Sequence, residues 1–243
     1  MRIGIDARMY GPKQAGLGRY VRQLITGLLE IDRENQYVLY VRNYEQQHEI
    51  TPPKADAPWA QNYENCKIVI VDIPWYSWRE QVEFKKIIQK EKVDLMHFPH
   101  WNVPLFYNDP FVVTIHDLIM YHYPRPEATT LGPIKFWLKD MAHRIVLRHA
   151  VKKAKKIIVT SEFTKQDVYK TLGVELEKTI VIYQAPVVRT QNTINKTQLL
   201  EKFRINKPYV LYVGNAYPHM NLERLLKAWG IFEKKYGDGF QLV

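Results

Sequence analysis

The amino-acid sequence predicts an α/β fold in which a parallel sheet carries helices on both faces. Two observations predict it: short runs rich in β-branched residues alternate with amphipathic helical stretches, and these apolar runs are continuous. Continuous apolar strands are typical of parallel sheets, which are buried on both faces. Such sheets bind ligands at the carboxyl ends of their strands. Functional residues are therefore expected where the strands end.

Seven segments are predicted to be strands because they are short, rich in β-branched or aromatic residues, and separated by turn-forming or helical stretches. In chain order they are RIGIDA, YVLYV, CKIVIVDI, DLMHF, FVVTIHD, KIIVTS and TIVIYQ. Three stretches between them are predicted to be helices. Residues 20–31 place five apolar side chains on one stripe, residues 78–92 follow the third strand, and residues 163–172 are closed by Gly173.

Pro186 and the polar segment RTQNTINKTQ predict a domain boundary. Residues 1–186 are expected to form the first domain, residues 187–207 a linker with a short helix, and residues 208–243 the start of a second domain with the same strand–helix pattern. Two strands and one helix are too few for a stable sheet. This truncated second domain is therefore expected to rest on the first domain, on a partner chain, or on a second copy in a homodimer.

Composition indicates the kind of partner. The net charge is +10, which implies attraction to an anionic molecule such as nucleic acid, acidic lipid or a phosphorylated substrate. Cys66 is the single cysteine, so no intrachain disulfide can form and a reducing compartment is expected. The chain begins with a strand-like segment and contains no apolar run of about 20 residues, the length of a membrane span. We expect a cytoplasmic protein, either soluble or peripheral on the inner face of the membrane.

The segment GPKQAGLGRY connects the first strand to the first long helix and contains Gly16 and Gly18. Glycines at such a junction let a ligand approach the backbone at a helix N-terminus. An ordinary tight turn explains the same residues equally well.

Histidines follow two neighbouring strands. TIHDL places His116 and Asp117 at one strand end, and HFPHW places His97 and His100 at another. Parallel strands bring these ends to the same crevice. Each histidine is either a functional group or a hydrogen-bonded structural residue. No histidine has the spacing of a zinc site, so no metal is expected.

Residues 124–156 contain a basic segment with an apolar stripe formed by Ile134, Trp137, Leu138, Met141 and Ile145. A helix of this kind suits an anionic membrane surface. The alternative, which we favour for the stripe, is a helix that covers the sheet. Nucleic acid is disfavoured because no recognition fold is present. The candidate membrane-binding residues are Lys135, Phe136, Trp137, Lys139, Arg144, Arg148, Lys152, Lys153, Lys155 and Lys156.

The segment VLYVGNAYPHMNLERLL predicts a strand, a turn at Gly214 and Asn215, and a helix whose N-cap is Asn221. Such a junction directs backbone N–H groups and the positive end of a helix dipole toward one point, which suits a phosphate. The residue before the cap is Met220, however, and a methionine cannot neutralise a phosphate.

Five motifs occur in a familiar order: GLGRYVRQLITGL, HFPHW, TIHDL, SEFTKQDV and YVGNAYPHMNLERLLKAW. Together they resemble the family-four retaining glycosyltransferases of the GT-B fold. The sequences of these motifs are most similar to those of bacterial mannosyltransferases of polysaccharide and glycolipid assembly. The resemblance implies a Rossmann-like, acceptor-side N-terminal domain joined to the beginning of a donor-side domain. It also implies a nucleotide-sugar donor, such as GDP-mannose or a UDP-hexose, and transfer without a metal.

The resemblance implies roles for individual residues. Gly16 and Gly18 would lie under the diphosphate and sugar, and His116 would contact the sugar and help to stabilise the reacting centre. The other candidate substrate-binding residues are Asp117, Ser161, Glu162, Gly214, Asn215 and Asn221.

The sequence departs from the family pattern at Met220, because family members usually carry a lysine there that holds the diphosphate. The family's pair of donor-binding glutamates lies beyond residue 243. Two functions therefore stay open: a transferase completed by a partner or a second copy, and a non-catalytic relative that binds a lipid-linked saccharide or a membrane. Nucleic-acid binding is a third, weaker alternative.

Overall fold

A computed structural model describes residues 1–50, 65–124, 132–186, 196–214 and 216–243. The chain divides into two compact units, Met1–Ala185 and Pro186–Val243. The first unit is built on strands β1 (Arg2–Asp6), β2 (Gln36–Val41), β3 (Cys66–Ile70), β4 (Leu95–Phe98), β5 (Phe111–Ile115), β6 (Lys156–Val159) and β7 (Thr179–Val181). Its helices are α1 (Ala15–Ile31), α2 (Tyr44–Ile50), α3 (Lys85–Lys90), α4 (Ile119–His122), α5 (Pro133–Lys153) and α6 (Glu162–Leu172).

All seven strands are parallel and lie in the order β3-β2-β1-β4-β5-β6-β7. The order reverses between β1 and β4, because the chain builds outward from β1 to β3 and then returns to the other side of β1. A crevice forms at such a switch point, outside the carboxyl ends of the strands. The predicted Rossmann-like parallel sheet is confirmed.

Side chains of β2 show how the sheet separates two cores. Tyr37, Leu39 and Val41 pack in a cluster with the apolar stripe of α1. Val38 and Tyr40 point to the opposite face and join a second cluster, which α3, α5 and α6 cover. Because successive strand residues point to opposite faces, a continuous apolar strand is what a sheet with helices on both faces requires.

The carboxyl end of β1 carries a buried ion network. Arg8 is fully buried, and its guanidinium donates to both carboxylate oxygens of Asp6 at 2.8 Å and to Glu80 Oε1 at 2.6 Å. Asn102 Nδ2 donates to the same Glu80 oxygen at 2.9 Å, and the backbone N–H of Tyr76 donates to the other oxygen at 2.7 Å. Burial opposes the charge of Arg8, but the two carboxylates together raise the pKa of its guanidinium above the ordinary value. The network therefore ties β1 to the segments that follow β3 and β4.

The helix expected at residues 78–92 is present but contains a π-helical segment, Glu80–Phe84, directly before α3. Glu80 and Phe84 lie one turn apart and are both fully buried. The Arg8 guanidinium lies 4.0 Å from the centre of the Phe84 ring. This segment therefore supplies the carboxylate and the aromatic face that hold Arg8.

Helix α5 corrects one prediction. The stripe expected to cover the sheet is exposed: Ile134, Trp137 and Ile145 are 75%, 61% and 49% accessible. The buried residues of α5 are Leu147 and Val151, near its C-terminus, together with Ala150. The 21 residues of α5 extend about 31 Å and the five residues of β5 only about 17 Å, so the sheet covers only the C-terminal part of the helix. The stripe also lies on the face of α5 opposite Leu147 and Ala150, so it points away from the core.

The second unit contains α7 (Lys196–Lys202), α8 (Leu222–Tyr236) and two short strands, β8 (Tyr209–Val210) and β9 (Gln241–Leu242). The two strands pair in parallel, with α8 as the connection between them. Among the described residues of the whole chain, no helix combines the length and apolar character that crossing a membrane requires.

We predict that Arg8→Met destabilises the chain by about 3–5 kcal/mol, because it leaves Glu80 buried without its cation. The measurement is urea unfolding followed by circular dichroism. The matched control is Arg79→Met, which breaks the exposed Arg79–Glu83 pair one turn away and should leave the free energy of unfolding nearly unchanged. Equal effects of the two substitutions would show that the buried network does not hold this edge together.

Candidate active site

The two glycines of the first motif have different surroundings. Helix α1 begins at Ala15, so Gly16 and Gly18 lie in its first turn and not in the preceding loop as expected. A Cβ at Gly18 would collide with the carbonyl oxygen of Gly11, whereas no described atom lies within 4 Å of a Cβ placed on Gly16. Gly18 is therefore required for packing of the loop against the helix, and Gly16 is the glycine that leaves open space at the helix N-terminus.

His116 follows β5 at the carboxyl edge of the sheet. Its Nε2 lies 2.9 Å from the carbonyl oxygen of Pro99 and its Nδ1 lies 3.2 Å from Gln184 Nε2. Because a carbonyl can only accept, this network assigns the proton to Nε2 and leaves Nδ1 as an acceptor. The Tyr20 ring meets the imidazole edge-to-face with centroids 4.7 Å apart. Burial lowers the pKa of His116, so the imidazole is neutral near pH 7.

The backbone of His116 is fixed from β6 and α6. Its carbonyl oxygen accepts from the Thr160 hydroxyl at 3.0 Å and from the Thr164 hydroxyl at 3.3 Å. Ser161 caps α6 by accepting from the Thr164 N–H at 3.1 Å, and Glu162 is exposed in the first turn of that helix. Ser161 is thus a structural cap that lies next to the site, while the carboxylate of Glu162 faces solvent.

Asp117 is exposed, and its Oδ1 accepts from the Ile119 N–H at 2.8 Å, just before the short helix α4. The histidines of HFPHW do not join His116 at the rim as expected. His97 is buried and lies 2.9 Å from the Thr114 hydroxyl, which in turn lies 3.1 Å from the Tyr20 hydroxyl. His100 packs on Trp101, with ring centroids 4.6 Å apart. Both histidines therefore belong to the support of the site.

A cavity of about 500 Å³ opens at the same edge, beside the ends of β1, β2 and β3. It is lined by residues 10–14, by residues 42–46, and by Glu49, Asp72 and Trp75. The Arg42 guanidinium lies 5.1 Å from the Trp75 ring, and Lys13 pairs with Glu45 at 2.8 Å. An aromatic face together with carboxylates and cationic groups suits a hydroxyl-rich ligand such as a sugar.

The second unit contains the remaining predicted site residues. A Cβ on Gly214 would lie 2.7 Å from the Tyr212 hydroxyl and 3.3 Å from Met220 Cε, so this glycine is closely covered. Asn221 occupies the N-cap position of α8, but it is left-handed, with φ of 56°, and its side chain makes no capping bond. Met220 ends the preceding turn and is partly exposed. Asn215 lies outside the described residues.

Three groups at the site were missed by the sequence analysis. The Pro99 carbonyl is a backbone group, so its residue type does not identify it as part of a site. Tyr20 was assigned only to a helix. Gln184 is the last residue of the predicted strand TIVIYQ, so the rule that functional groups follow strand ends could have identified it.

Comparison with known proteins agrees with the motifs. Residues 15–185 match the sequence profile of a family described as Glycosyltransferase Family 4. The O-antigen chain mannosyltransferase RfbU of Salmonella typhimurium is 25% identical over 169 residues, which cover 70% of this chain and 41% of that protein. The match thus spans about two fifths of the length of this curated relative.

Two solved structures are similar to the chain. A UGT transferase from Siraitia grosvenorii in complex with UDP aligns with a TM-score of 0.46 and 11% identity, over 89% of this chain and 59% of that one. A glycosyltransferase from Rickettsia africae aligns with a TM-score of 0.41 and 16% identity, over 100% of this chain and 67% of that one.

We predict that stability falls as the pH falls from about 6.5 toward 4. Burial lowers the pKa of His97 from 6.5 to about 4 and that of His100 to about 3. In this window the unfolded chain binds protons that the native chain does not, so the free energy of unfolding decreases by up to about 1.4 kcal/mol per pH unit for each histidine. Urea unfolding at several pH values measures this slope.

The substitutions His97→Gln and His100→Gln should each remove one histidine's share of the slope. If both variants keep the original slope, the buried histidines do not cause the acid sensitivity.

Proposed function

This chain belongs to Glycosyltransferase Family 4, and from that premise we propose that it transfers a hexose, with mannose as the first candidate, from a nucleotide sugar to a polysaccharide or lipid-linked acceptor. The similarity to an O-antigen chain mannosyltransferase supports mannose as the sugar. Because the match spans 41% of that relative, its activity is a hypothesis for this chain and needs a direct test.

The observation that carries the proposal is the acceptor nitrogen of His116. Nδ1 is unprotonated, and the residue that donates to it, Gln184, has an exposed side chain. A sugar hydroxyl that replaces the Gln184 amide would donate to Nδ1 with the same geometry. Because the imidazole is neutral, we assign His116 to orienting the sugar at the reacting carbon and not to donating a proton.

We assign the donor diphosphate to the N-terminus of α1. The first backbone N–H groups of a helix have no partner inside the helix, and they attract anions together with the helix dipole. The open space at Gly16 lets a phosphate approach this backbone, while the packing of Gly18 on Gly11 holds the preceding loop in place. Tyr20, one turn further along α1, connects this end of the helix to His116.

The acceptor saccharide is assigned to the cavity beside β1, β2 and β3. The Trp75 ring offers an apolar face for a sugar, and Asp72 and Glu49 offer carboxylates for its hydroxyl groups. Residues 10–14 line the cavity and lead directly into α1, so an acceptor there would lie next to the proposed donor site.

A second candidate rests on Met220. This side chain cannot neutralise a phosphate, which favours a non-catalytic relative that binds a saccharide in the cavity without using a nucleotide sugar. Isothermal calorimetry with GDP-mannose and UDP-glucose distinguishes the two candidate functions. Micromolar binding supports the transferase, and no binding of either nucleotide sugar supports the second candidate.

We predict that Gly16→Ala lowers the affinity for the nucleotide sugar by at least about tenfold, because its methyl group occupies the space proposed for the phosphate. The same variant should be more stable by up to about 1 kcal/mol, since alanine favours a helix. Calorimetry measures the first effect and thermal unfolding the second.

The matched control is Gly27→Ala, which lies later in α1 and also has no described atom within 4 Å of its added Cβ. It should gain the same stability and keep full affinity. If Gly16→Ala also binds the nucleotide normally, the donor is not at this helix end.

We predict that His116→Asn lowers kcat/KM for hexose transfer by about 10–100-fold, because the acceptor nitrogen that orients the sugar is lost. His122→Asn removes an exposed histidine paired with Asp167 and should leave kcat/KM unchanged. A normal kcat/KM for His116→Asn would reject the assigned role, whatever the nucleotide titration shows.

A further inference from the structure

The outward face of α5 is apolar although it faces solvent. Its outer stripe consists of Ile134, Trp137, Leu138, Met141 and Ile145, which are 40–75% accessible. The spacing of three and four residues keeps these side chains on one face of the helix. At about 100° per residue, this face is opposite the buried Leu147 and Ala150. Helix α5 therefore has two apolar faces, and the core covers only one of them.

Basic residues border the outer stripe on both sides. Lys135 lies on one edge and Arg144 on the other, while Arg148 and Lys152 continue the outward face beyond Ile145. Lys139 lies on the same side of the helix as Ala150 and is not part of the border. Asp140 is the only acidic residue in α5. It lies on the inner side, where its carboxylate accepts from Arg144 Nε at 2.7 Å. The outward face therefore carries cationic groups and no carboxylate of this helix.

The arginine edge is held in position by Tyr121. Arg144 donates to the Tyr121 carbonyl oxygen at 2.9 Å, and its guanidinium lies 4.2 Å from the centre of the Tyr121 ring. Arg148 donates to the Tyr121 hydroxyl at 2.7 Å. Both arginines keep their charge, but their positions are fixed beside the stripe. Lys135 and Lys152 are exposed, and their side chains can extend toward a charged surface.

We propose that α5 docks the first unit on an anionic lipid bilayer, with the outer stripe in the membrane interface and the two basic edges at the lipid phosphates. A central apolar stripe with tryptophan, bordered by lysine and arginine, is the arrangement that an interfacial helix requires. The positive edges match a negatively charged surface, and the net charge of +10 adds long-range attraction. Charge complementarity thus favours the bilayer over a neutral apolar partner.

The test is co-sedimentation of the chain with vesicles of phosphatidylcholine, alone or mixed with phosphatidylglycerol in a roughly 7:3 ratio, at physiological salt. We expect binding to the anionic vesicles only. Trp137→Gln should weaken it by about tenfold, because an interfacial aromatic ring is lost. Lys135→Gln combined with Lys152→Gln should weaken it by about tenfold or more, and the difference from the original chain should disappear at high salt, where the charges are screened.

Two controls match these variants. Phe163→Gln removes an aromatic side chain that is 80% exposed on α6, and Lys170→Gln removes an exposed lysine of the same helix. Both should bind like the original chain. All the substituted residues are exposed, so each variant is expected to keep the original unfolding midpoint.

Three results would overturn the proposal: no binding to anionic vesicles, equal binding to neutral vesicles, or full binding by Trp137→Gln. A different result is that the chain fails to bind vesicles and instead self-associates in a concentration-dependent way that Trp137→Gln abolishes. This result would assign the stripe to contact with a second copy of the chain. Because vesicle binding needs no nucleotide sugar, its outcome is independent of the proposed transferase activity.

Discussion

The buried Arg8 network is the constraint on which the carboxyl edge of the sheet depends. Arg8 follows β1, Glu80 lies after β3 and Asn102 after β4, and both Arg8 and Asn102 donate to Glu80, so the network connects three segments that are distant in sequence. In a low-dielectric interior, these charges are tolerable only when every partner is in place. Residues 10–14, which line the cavity and lead into α1, begin two residues after Arg8. The positions of both proposed substrate sites therefore depend on it.

The sequence predicted the fold because a parallel sheet buried on both faces leaves a continuous apolar pattern in every strand. It failed for α5, since the periodicity of Ile134 to Ile145 shows that a stripe exists but not which way it faces. Leu147, Ala150 and Val151 form a second apolar face on the other side of α5, and this second face is the one that packs on the core. The first turn of α1 shows a similar limit of sequence-based prediction. Gly16 and Gly18 are both glycines of one motif, and only the contact with the Gly11 carbonyl distinguishes them.

The sequence predicted part of the candidate site, because the order of strands in the sequence shows which residues follow a strand end. His116 ends a strand, and the rule that ligands bind at strand ends identifies it. Its partners come from α1, from the backbone after β4 and from the end of β7. No periodicity pairs Tyr20, Pro99 and Gln184 with one another, because their proximity results from the strand order. His97, which is also a histidine but lies within β4, is instead part of the buried support.

The outer stripe has a consequence for orientation. From residue 134 to residue 145 it measures only about 17 Å, little more than half of a bilayer's hydrocarbon thickness. A helix with so short an apolar face lies flat. Because α5 connects the parallel strands β5 and β6, it runs antiparallel to them. The strands of a docked unit would then run along the membrane plane, and the crevice at their carboxyl ends would open sideways across the lipid headgroups, where a membrane-anchored acceptor could enter without leaving the bilayer.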